Sequence, residues 1–124
     1  MVRLGELEQQ VMGVLWQDDK PEMTVRDVAG HFPDHAYTTV MTVLDRLERK
    51  GMVRRIRVGR AYRYAPSGTR EEYAAALMHE ALSSTTDRSA ALVHFAESVS
   101  PEEAALLRDV LSASDPNRKR DRTR

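Results

Sequence analysis

Apolar residues recur at helical spacing in the first half of the chain and predict three helices. The first covers about residues 4–17, and its apolar stripe consists of Leu4, Leu7, Val11, Val14 and Leu15. The second is shorter and begins after Thr24, which can cap it together with Asp27. The third covers residues 36–50, and its stripe consists of Val40, Val43, Leu44 and Leu47. Phe32 and Pro33 separate the last two helices, so the pattern predicts a helix-turn-helix.

The apolar period changes after Gly51, which is expected to end the third helix with Lys50 beside the negative helix end. Residues 52–58 and 61–65 predict two strands joined by a turn at Gly59 and Arg60. Residues 22–24 predict one further, very short strand. A hairpin directly after a helix-turn-helix is the wing of a winged-helix domain. Tyr62 and Tyr64 on its returning strand suit packing against the helices and contact with DNA equally well.

The second half of the chain predicts three further helices of a different kind. One follows a capping pair at Thr69 and Glu72, one covers about residues 87–99, and one begins at Ser100 and Pro101, with a polar break at residues 83–86. They hold too few large apolar residues for a separate monomeric core, so we expect them to pack against a second copy of the chain. The expected dimerisation residues are Tyr73, Leu77, Leu92, Phe95, Leu107, Val110 and Leu111.

The predicted fold is therefore mainly α-helical with a small β-hairpin. Residues 1–67 are expected to form a winged helix-turn-helix domain, and residues 68–113 a helical dimerisation module. Residues 114–124 are charged and contain Pro and Asn, so we expect a disordered basic tail.

Charge is unevenly distributed along the 124 residues, although the formal net charge is zero. Residues 1–66 hold eleven Lys and Arg against nine Asp and Glu, whereas residues 67–113 hold three against eight. Seven arginines and one lysine between residues 46 and 63 are opposed there by Glu48 alone. This local excess indicates a surface that attracts a polyanion.

The polar side of the third helix has the composition expected in a DNA major groove. Thr39 and Thr42 offer hydroxyl and methyl groups to bases and phosphates, and Arg46 and Arg49 offer guanidinium groups. On the wing, Arg60 at the tip and Arg63 on the returning strand are expected to contact backbone phosphates and fix the register.

Other functions find little support in the sequence. There is no cysteine, and the four histidines lack a metal-binding or catalytic spacing, so no enzyme activity, metal or cofactor is expected. No apolar run approaches membrane-spanning length, which favours a soluble cytoplasmic protein without membrane insertion. Two alternatives stay open: a winged helix that binds an acidic protein, and a ligand-sensing repressor of another winged-helix family.

These motifs together resemble the BlaI/MecI/CopY-type penicillinase repressors over about residues 4–111. The resemblance is carried by Leu4–Glu8, Val14–Trp16, Ala36–Leu47, Lys50–Gly51, Arg60–Tyr64 and Leu92–Glu97. It implies a homodimeric repressor that binds double-stranded DNA at a dyad-symmetric, inverted-repeat operator ahead of resistance or stress genes. It also implies DNA contacts from Thr38, Thr39, Thr42 and Arg46 on the recognition helix, and backbone contacts from Arg60 and Arg63.

The resemblance also bears on how such a repressor is switched off. Copper-responsive members carry a cysteine-rich tail, which this chain lacks. In β-lactam-responsive members a membrane-bound sensor metalloprotease pathway leads to cleavage before a Phe in the C-terminal module. The matching bond is His94–Phe95, where the members best known for this cleavage have Asn before the Phe.

Overall fold

A computed structural model of the chain describes residues 3–114, which contain six helices and three strands. In chain order they are α1 (Glu6–Gln17), β1 (Met23–Thr24), α2 (Val25–Ala29), α3 (Tyr37–Arg49), β2 (Val53–Val58), β3 (Ala61–Pro66), α4 (Arg70–Ser84), α5 (Arg88–Ser98) and α6 (Pro101–Ala113). The predicted helices and hairpin are confirmed. Ser83 and Ser84, predicted to lie in the break between two helices, instead form the last turn of α4.

The chain divides into two compact units, Met1–Met78 and His79–Arg124, and the division falls inside α4. The boundary expected from the sequence, between residues 67 and 68, lies before this helix. The predicted basic tail lies outside the described residues except for Ser114, which caps the end of α6.

The three strands form one antiparallel sheet in the order β1-β3-β2. Across the hairpin, Arg55 lies opposite Tyr64 and Ile56 lies opposite Arg63, while Met23 of β1 pairs with Tyr64 from the other side. Gly59 turns the hairpin with φ +64, a left-handed conformation that glycine adopts without strain. Because α2 and α3 precede this hairpin in the chain, the arrangement is a winged helix-turn-helix.

The hydrophobic core lies between α1, α2, α3 and the sheet. The stripe predicted for α3 is buried as expected, and Met12, Leu44 and Leu47 are fully enclosed. Each such side chain contributes about 1.5–3 kcal/mol through the transfer of apolar surface out of water. This packing fixes α3 so that its other side faces solvent.

Local hydrogen bonds set the start of α2 and the end of α3. Thr24 and Asp27 form the predicted reciprocal cap, with distances of 3.0 Å from the Asp27 amide to the Thr24 hydroxyl and 3.1 Å from the Thr24 amide to the Asp27 carboxylate. Their hydrogen bonds, to the Thr24 amide above all, lower the pKa of Asp27. Gly51 ends the α3 segment with φ +78, as its position predicts.

Lys50 forms contacts beyond those predicted for it at the end of α3. Lys50 is the C-cap residue of α3, and its ammonium lies 2.9 and 2.8 Å from the two carboxylate oxygens of Glu8 and also donates to the Arg3 carbonyl at 2.9 Å. Glu8 is 7% exposed and also accepts a 2.8 Å hydrogen bond from the Gly5 amide. This ion pair joins the start of α1 to the end of α3.

The surroundings of Glu8 act on its pKa in opposite directions. Burial raises the pKa, but the hydrogen bond and charge of Lys50, the Gly5 amide and the charge of Arg46 outweigh burial, so the pKa lies below the usual 4.5. A carboxyl with a lowered folded pKa stabilises the fold fully above its unfolded pKa. The contribution is lost as the pH falls through the folded value.

Replacing Glu8 by Gln should therefore lower the free energy of unfolding by about 1–3 kcal/mol at neutral pH, because Lys50 loses a charged partner that is largely shielded from water. The difference from the unsubstituted protein should shrink as the pH falls below about 4. Urea unfolding at several pH values measures this, and Glu6→Gln on the exposed side of the same helix turn is the control. A difference that stays constant with pH would contradict the assigned ion pair.

Trp16, the single tryptophan, joins α1 to the segment that leads into α4. Its indole nitrogen donates a 3.0 Å hydrogen bond to the Gly68 carbonyl. The Arg70 guanidinium lies 5.1 Å from the indole centroid, and the Tyr73 ring lies 5.7 Å from it. Trp16 thus lies in a packed junction at the edge of the core.

No residue of α4, α5 or α6 is buried in the single chain. The predicted caps are present: Thr69 pairs with Glu72 before α4, and Ser100 pairs with Glu103 before α6. Most of their large apolar side chains nevertheless stay exposed, including Leu111 at 68%. Local hydrogen bonds therefore define these helices without giving them a core.

Candidate nucleic-acid interface

The solvent-facing side of α3 carries the hydroxyl and guanidinium groups selected from the sequence. It lies opposite the buried stripe because an α-helix advances 100° per residue. The five candidate residues on it are all exposed: Thr38, Thr39, Thr42, Arg46 and Arg49. The helix thus offers a row of donors and acceptors that contributes nothing to the core.

The polar groups on this side differ in how free they are. The Thr42 hydroxyl donates to the Thr38 carbonyl at 2.9 Å, which leaves its oxygen able to accept and its methyl group exposed. Arg46 forms no ion pair among residues 3–114, whereas Arg49 lies 3.0 Å from Asp45, four residues earlier. Arg46 is therefore the more available cation of the two.

The wing places its two candidate arginines in different positions. Arg60 lies in the turn at the exposed tip, and Arg63 lies on β3, the middle strand. Because side chains alternate along a strand, Arg63 points to the sheet face opposite Tyr62 and Tyr64 and shares it with Arg54. The hairpin therefore presents positive charge at its tip and on the sheet face opposite Tyr62 and Tyr64.

A groove runs between the first half of α3 and the wing. Arg60 and Tyr62 line its wing side, Tyr37 and Met41 line its α3 side, and Arg26 lies at the start of α2. Tyr37, Met41 and Tyr62 are large apolar side chains left exposed beside the arginines. Arg26, Tyr37 and Met41 were not among the DNA-contact residues predicted from the sequence. Tyr37 and Met41 could have been found there, because they are one helical turn apart and adjoin Thr38.

The two wing tyrosines, left open between packing and DNA contact, separate in the structure. Tyr64 is buried in the core, and burial raises the pKa of its hydroxyl, with the nearby Arg55 charge opposing the rise. Tyr62 is exposed, and the Arg55 guanidinium lies 4.6 Å from its ring centroid. Tyr64 therefore belongs to the core, and Tyr62 belongs to the surface that includes the groove.

The basic surface is not free of carboxylates. Asp45, which immediately precedes the arginine-rich stretch, contacts Arg49 and also lies 3.7 Å from Arg55 of β2. The contact between Asp45 and Arg49 could have been predicted from their spacing of four residues. Only the fold brings Arg55 to the same carboxylate. Within residues 3–114, no group of three or more His, Asp or Glu side chains comes together as a metal site.

The candidate dimerisation residues fall into two groups. Tyr73 is partly buried against Trp16 of its own chain, and Leu77 is exposed beside it along α4. The rest are exposed on the last two helices: Leu92 and Phe95 on α5, and Leu107, Val110 and Leu111 on α6. The candidate cleavage bond His94–Phe95 lies within α5 with both side chains exposed. In the described part of the chain, no helix is both long and apolar enough to cross a membrane.

Comparisons with known proteins agree with this architecture. The sequence matches the model of the penicillinase repressor family over residues 4–113. It is also 49% identical, over 118 residues, to proteins named Transcriptional regulator BlaI from two strains of Mycobacterium tuberculosis, covering 90% of this chain and 85% of each relative. A solved MarR family protein from Bacillus stearothermophilus is similar in fold, with a TM-score of 0.50, 21% identity, and coverage of 89% of this chain and 71% of that one.

Proposed function

Because the chain belongs to the penicillinase repressor family of transcriptional regulators, we propose that it represses a promoter by occupying a dyad-symmetric operator as a homodimer. Residues 1–67 bind the DNA, and residues 68–113 hold the two copies together. The regulated genes are those for β-lactam resistance or cell-envelope stress. The protein is a repressor and not an enzyme, so its output is occupancy of a DNA site.

The exposed hydroxyl and arginine side of α3, beside an arginine-bearing wing, is the observation that carries this proposal. In the proposed complex, base edges in the major groove are read by Thr38, Thr39, Thr42 and Arg46. Arg49 holds a phosphate with the donors that Asp45 leaves free. Arg60 and Arg63 fix the wing on the DNA backbone. A winged helix that binds an acidic protein would not need hydroxyl groups and arginines together on one side.

The dimer part of the proposal rests on α4, α5 and α6, which bury no residue within the single chain. Large apolar side chains left exposed on these helices indicate an interaction site, and a second copy supplies identical side chains in a self-complementary contact. In the proposed dimer Leu92, Phe95 and Leu107 belong to the contact between the two copies. Leu77, Val110 and Leu111 extend the contact, and Tyr73 borders it while it stays packed on Trp16.

The position of the His94–Phe95 bond suits inactivation by proteolysis. A cut there separates α6, with Leu107 and Leu111, from the DNA-binding residues. The dimer would then lose the α6 part of its apolar contact, and each half-site would be bound separately. A membrane-bound sensor metalloprotease pathway that responds to β-lactams is the proposed trigger. Mass spectrometry of the protein from β-lactam-treated cells tests this, because the proposal requires a fragment that begins at Phe95.

Selection of genomic fragments with the purified protein, followed by binding across a salt series, tests the main proposal. We expect an inverted-repeat promoter site to be recovered and its affinity to fall steeply as salt rises, because each neutralised phosphate releases counterions. A scrambled duplex of equal length is the control. Recovery of only weak, sequence-indifferent fragments would exclude operator binding and favour a protein partner for this surface.

A further inference from the structure

Asp45 is the one carboxylate that connects the recognition helix to the wing in the described part of the chain. Its Oδ2 lies 3.0 Å from a terminal nitrogen of Arg49, one turn later on α3. Its Oδ1 lies 3.7 Å from a terminal nitrogen of Arg55 on β2. One side chain thus joins a cation of its own helix and a cation of the neighbouring strand.

Arg55 extends this connection across the hairpin. It lies opposite Tyr64, so it points to the same sheet face as the buried Tyr64 and the exposed Tyr62. Its guanidinium lies 4.6 Å from the Tyr62 ring centroid, within the range of a cation–π contact. The chain of contacts runs from Asp45 to Arg55 to Tyr62, and Tyr62 lines the groove beside Arg60 at the wing tip.

The fold alone does not account for a carboxylate at this position. Asp45 and Arg55 keep about a third of their side-chain surface exposed, and Arg49 is largely exposed. Ion pairs this open to solvent contribute little to stability. A negative charge here also repels DNA phosphates, and it occupies two arginines that would otherwise attract any duplex. Both effects weaken binding to DNA in general.

We propose that Asp45 is a positioning residue that raises DNA specificity. It holds Arg55 over Tyr62 and so fixes the wing against the second half of α3. It also orients Arg49 and keeps Arg49 and Arg55 from attaching to phosphates of unrelated sequences. The inference rests on the proposed DNA-binding function, because it concerns how the same surface separates its operator from other DNA.

The test compares Asp45→Asn, which keeps the shape and removes the charge, with Glu48→Gln, which removes a charge on the same helix. Glu48 forms no ion pair within residues 3–114 and is the matched control. The probes are the duplex recovered by genomic selection and a scrambled duplex of equal composition, each titrated across a salt series. Circular dichroism and thermal unfolding establish that both variants are folded.

For Asp45→Asn we expect about 3- to 10-fold tighter binding to the scrambled duplex, with a steeper salt dependence, because two arginines are released. Operator affinity should stay equal or fall, so the ratio of operator to scrambled affinity should decrease by at least about 3- to 10-fold. Glu48→Gln should tighten both duplexes alike and leave this ratio unchanged. If Asp45→Asn behaves like Glu48→Gln, Asp45 acts only as a charge and the positioning role is wrong.

A second variant separates positioning from charge alone. Arg55→Gln removes the partner of Asp45 and should reduce the specificity ratio to a similar extent, although it weakens general attraction. The double variant Asp45→Asn/Arg55→Gln should lower the ratio of operator to scrambled affinity no further than either single variant does, because the two residues act as one unit. Full additivity would overturn the proposal. If the unsubstituted protein binds no duplex selectively, the DNA-binding function itself fails, which is a different outcome.

Discussion

Replacing Leu107 by Glu should convert the proposed dimer into a monomer and weaken binding to a two-half-site operator by about 100- to 10,000-fold. Leu107 forms an apolar stripe on α6 with Val110 and Leu111, and it is 42% exposed in the single chain. In a two-fold interface every substitution is present twice, so two carboxylates would be placed in one apolar contact. Each monomer would keep its winged helix but lose the second half-site.

Analytical ultracentrifugation at low protein concentration measures the first effect, and duplexes with one or two half-sites measure the second. The matched control is Arg108→Glu, which places the same side chain on the neighbouring exposed position outside the stripe. It changes the charge by more than Leu107→Glu does, so a dimer that survives it excludes charge as the cause. A Leu107→Glu protein that remains dimeric would place the dimer contact elsewhere.

Replacing Arg46 by Ala should weaken operator binding by about 5- to 150-fold, which corresponds to about 1–3 kcal/mol, if its guanidinium reads a base. Among residues 3–114 Arg46 forms no ion pair, so nothing within the described fold competes for its donors. Discrimination against base changes at the contacted position should decrease at the same time, because the loss concerns one base pair and not the whole duplex.

Arg49→Ala provides the comparison for Arg46→Ala, because both positions are exposed arginines of α3. Its effect should be smaller and similar for all single-base variants of the operator, since Arg49 is already engaged with Asp45 and is proposed to hold an operator phosphate. Binding to a panel of single-base operator variants distinguishes the two. Equal, sequence-independent losses for both variants would remove Arg46 from the base-reading residues.

The elements of the winged helix could be predicted because they depend on neighbours in the sequence. The stripe containing Val40 and Leu44 repeats every three or four residues, and the cap of α2 needs only Thr24 and Asp27. Gly51 and Gly59 lie at positions where the backbone requires positive φ. The exposure of the candidate DNA-contact side follows directly from burial of the opposite side.

The contacts that escaped prediction join residues far apart in the chain. Lys50 appeared suited to the end of its own helix, but the fold brings it to Glu8, whose burial makes a charged partner necessary. Tyr62 and Tyr64 share one face of β3, so alternation cannot separate them. Tyr64 pairs with Met23 inside the core, whereas Tyr62 lies nearer the tip of the hairpin, where it remains exposed.

The contact between Trp16 and the segment from Gly68 to Tyr73 gives the protein a built-in optical reporter. The chain holds one tryptophan and four tyrosines, and light that tyrosine does not absorb excites the indole alone. Indole emission responds to the hydrogen bond with the Gly68 carbonyl and to the cation of Arg70. Any loosening of the start of α4 would therefore change the emission of the unlabelled protein, and the spectrum follows this junction in real time while DNA is added.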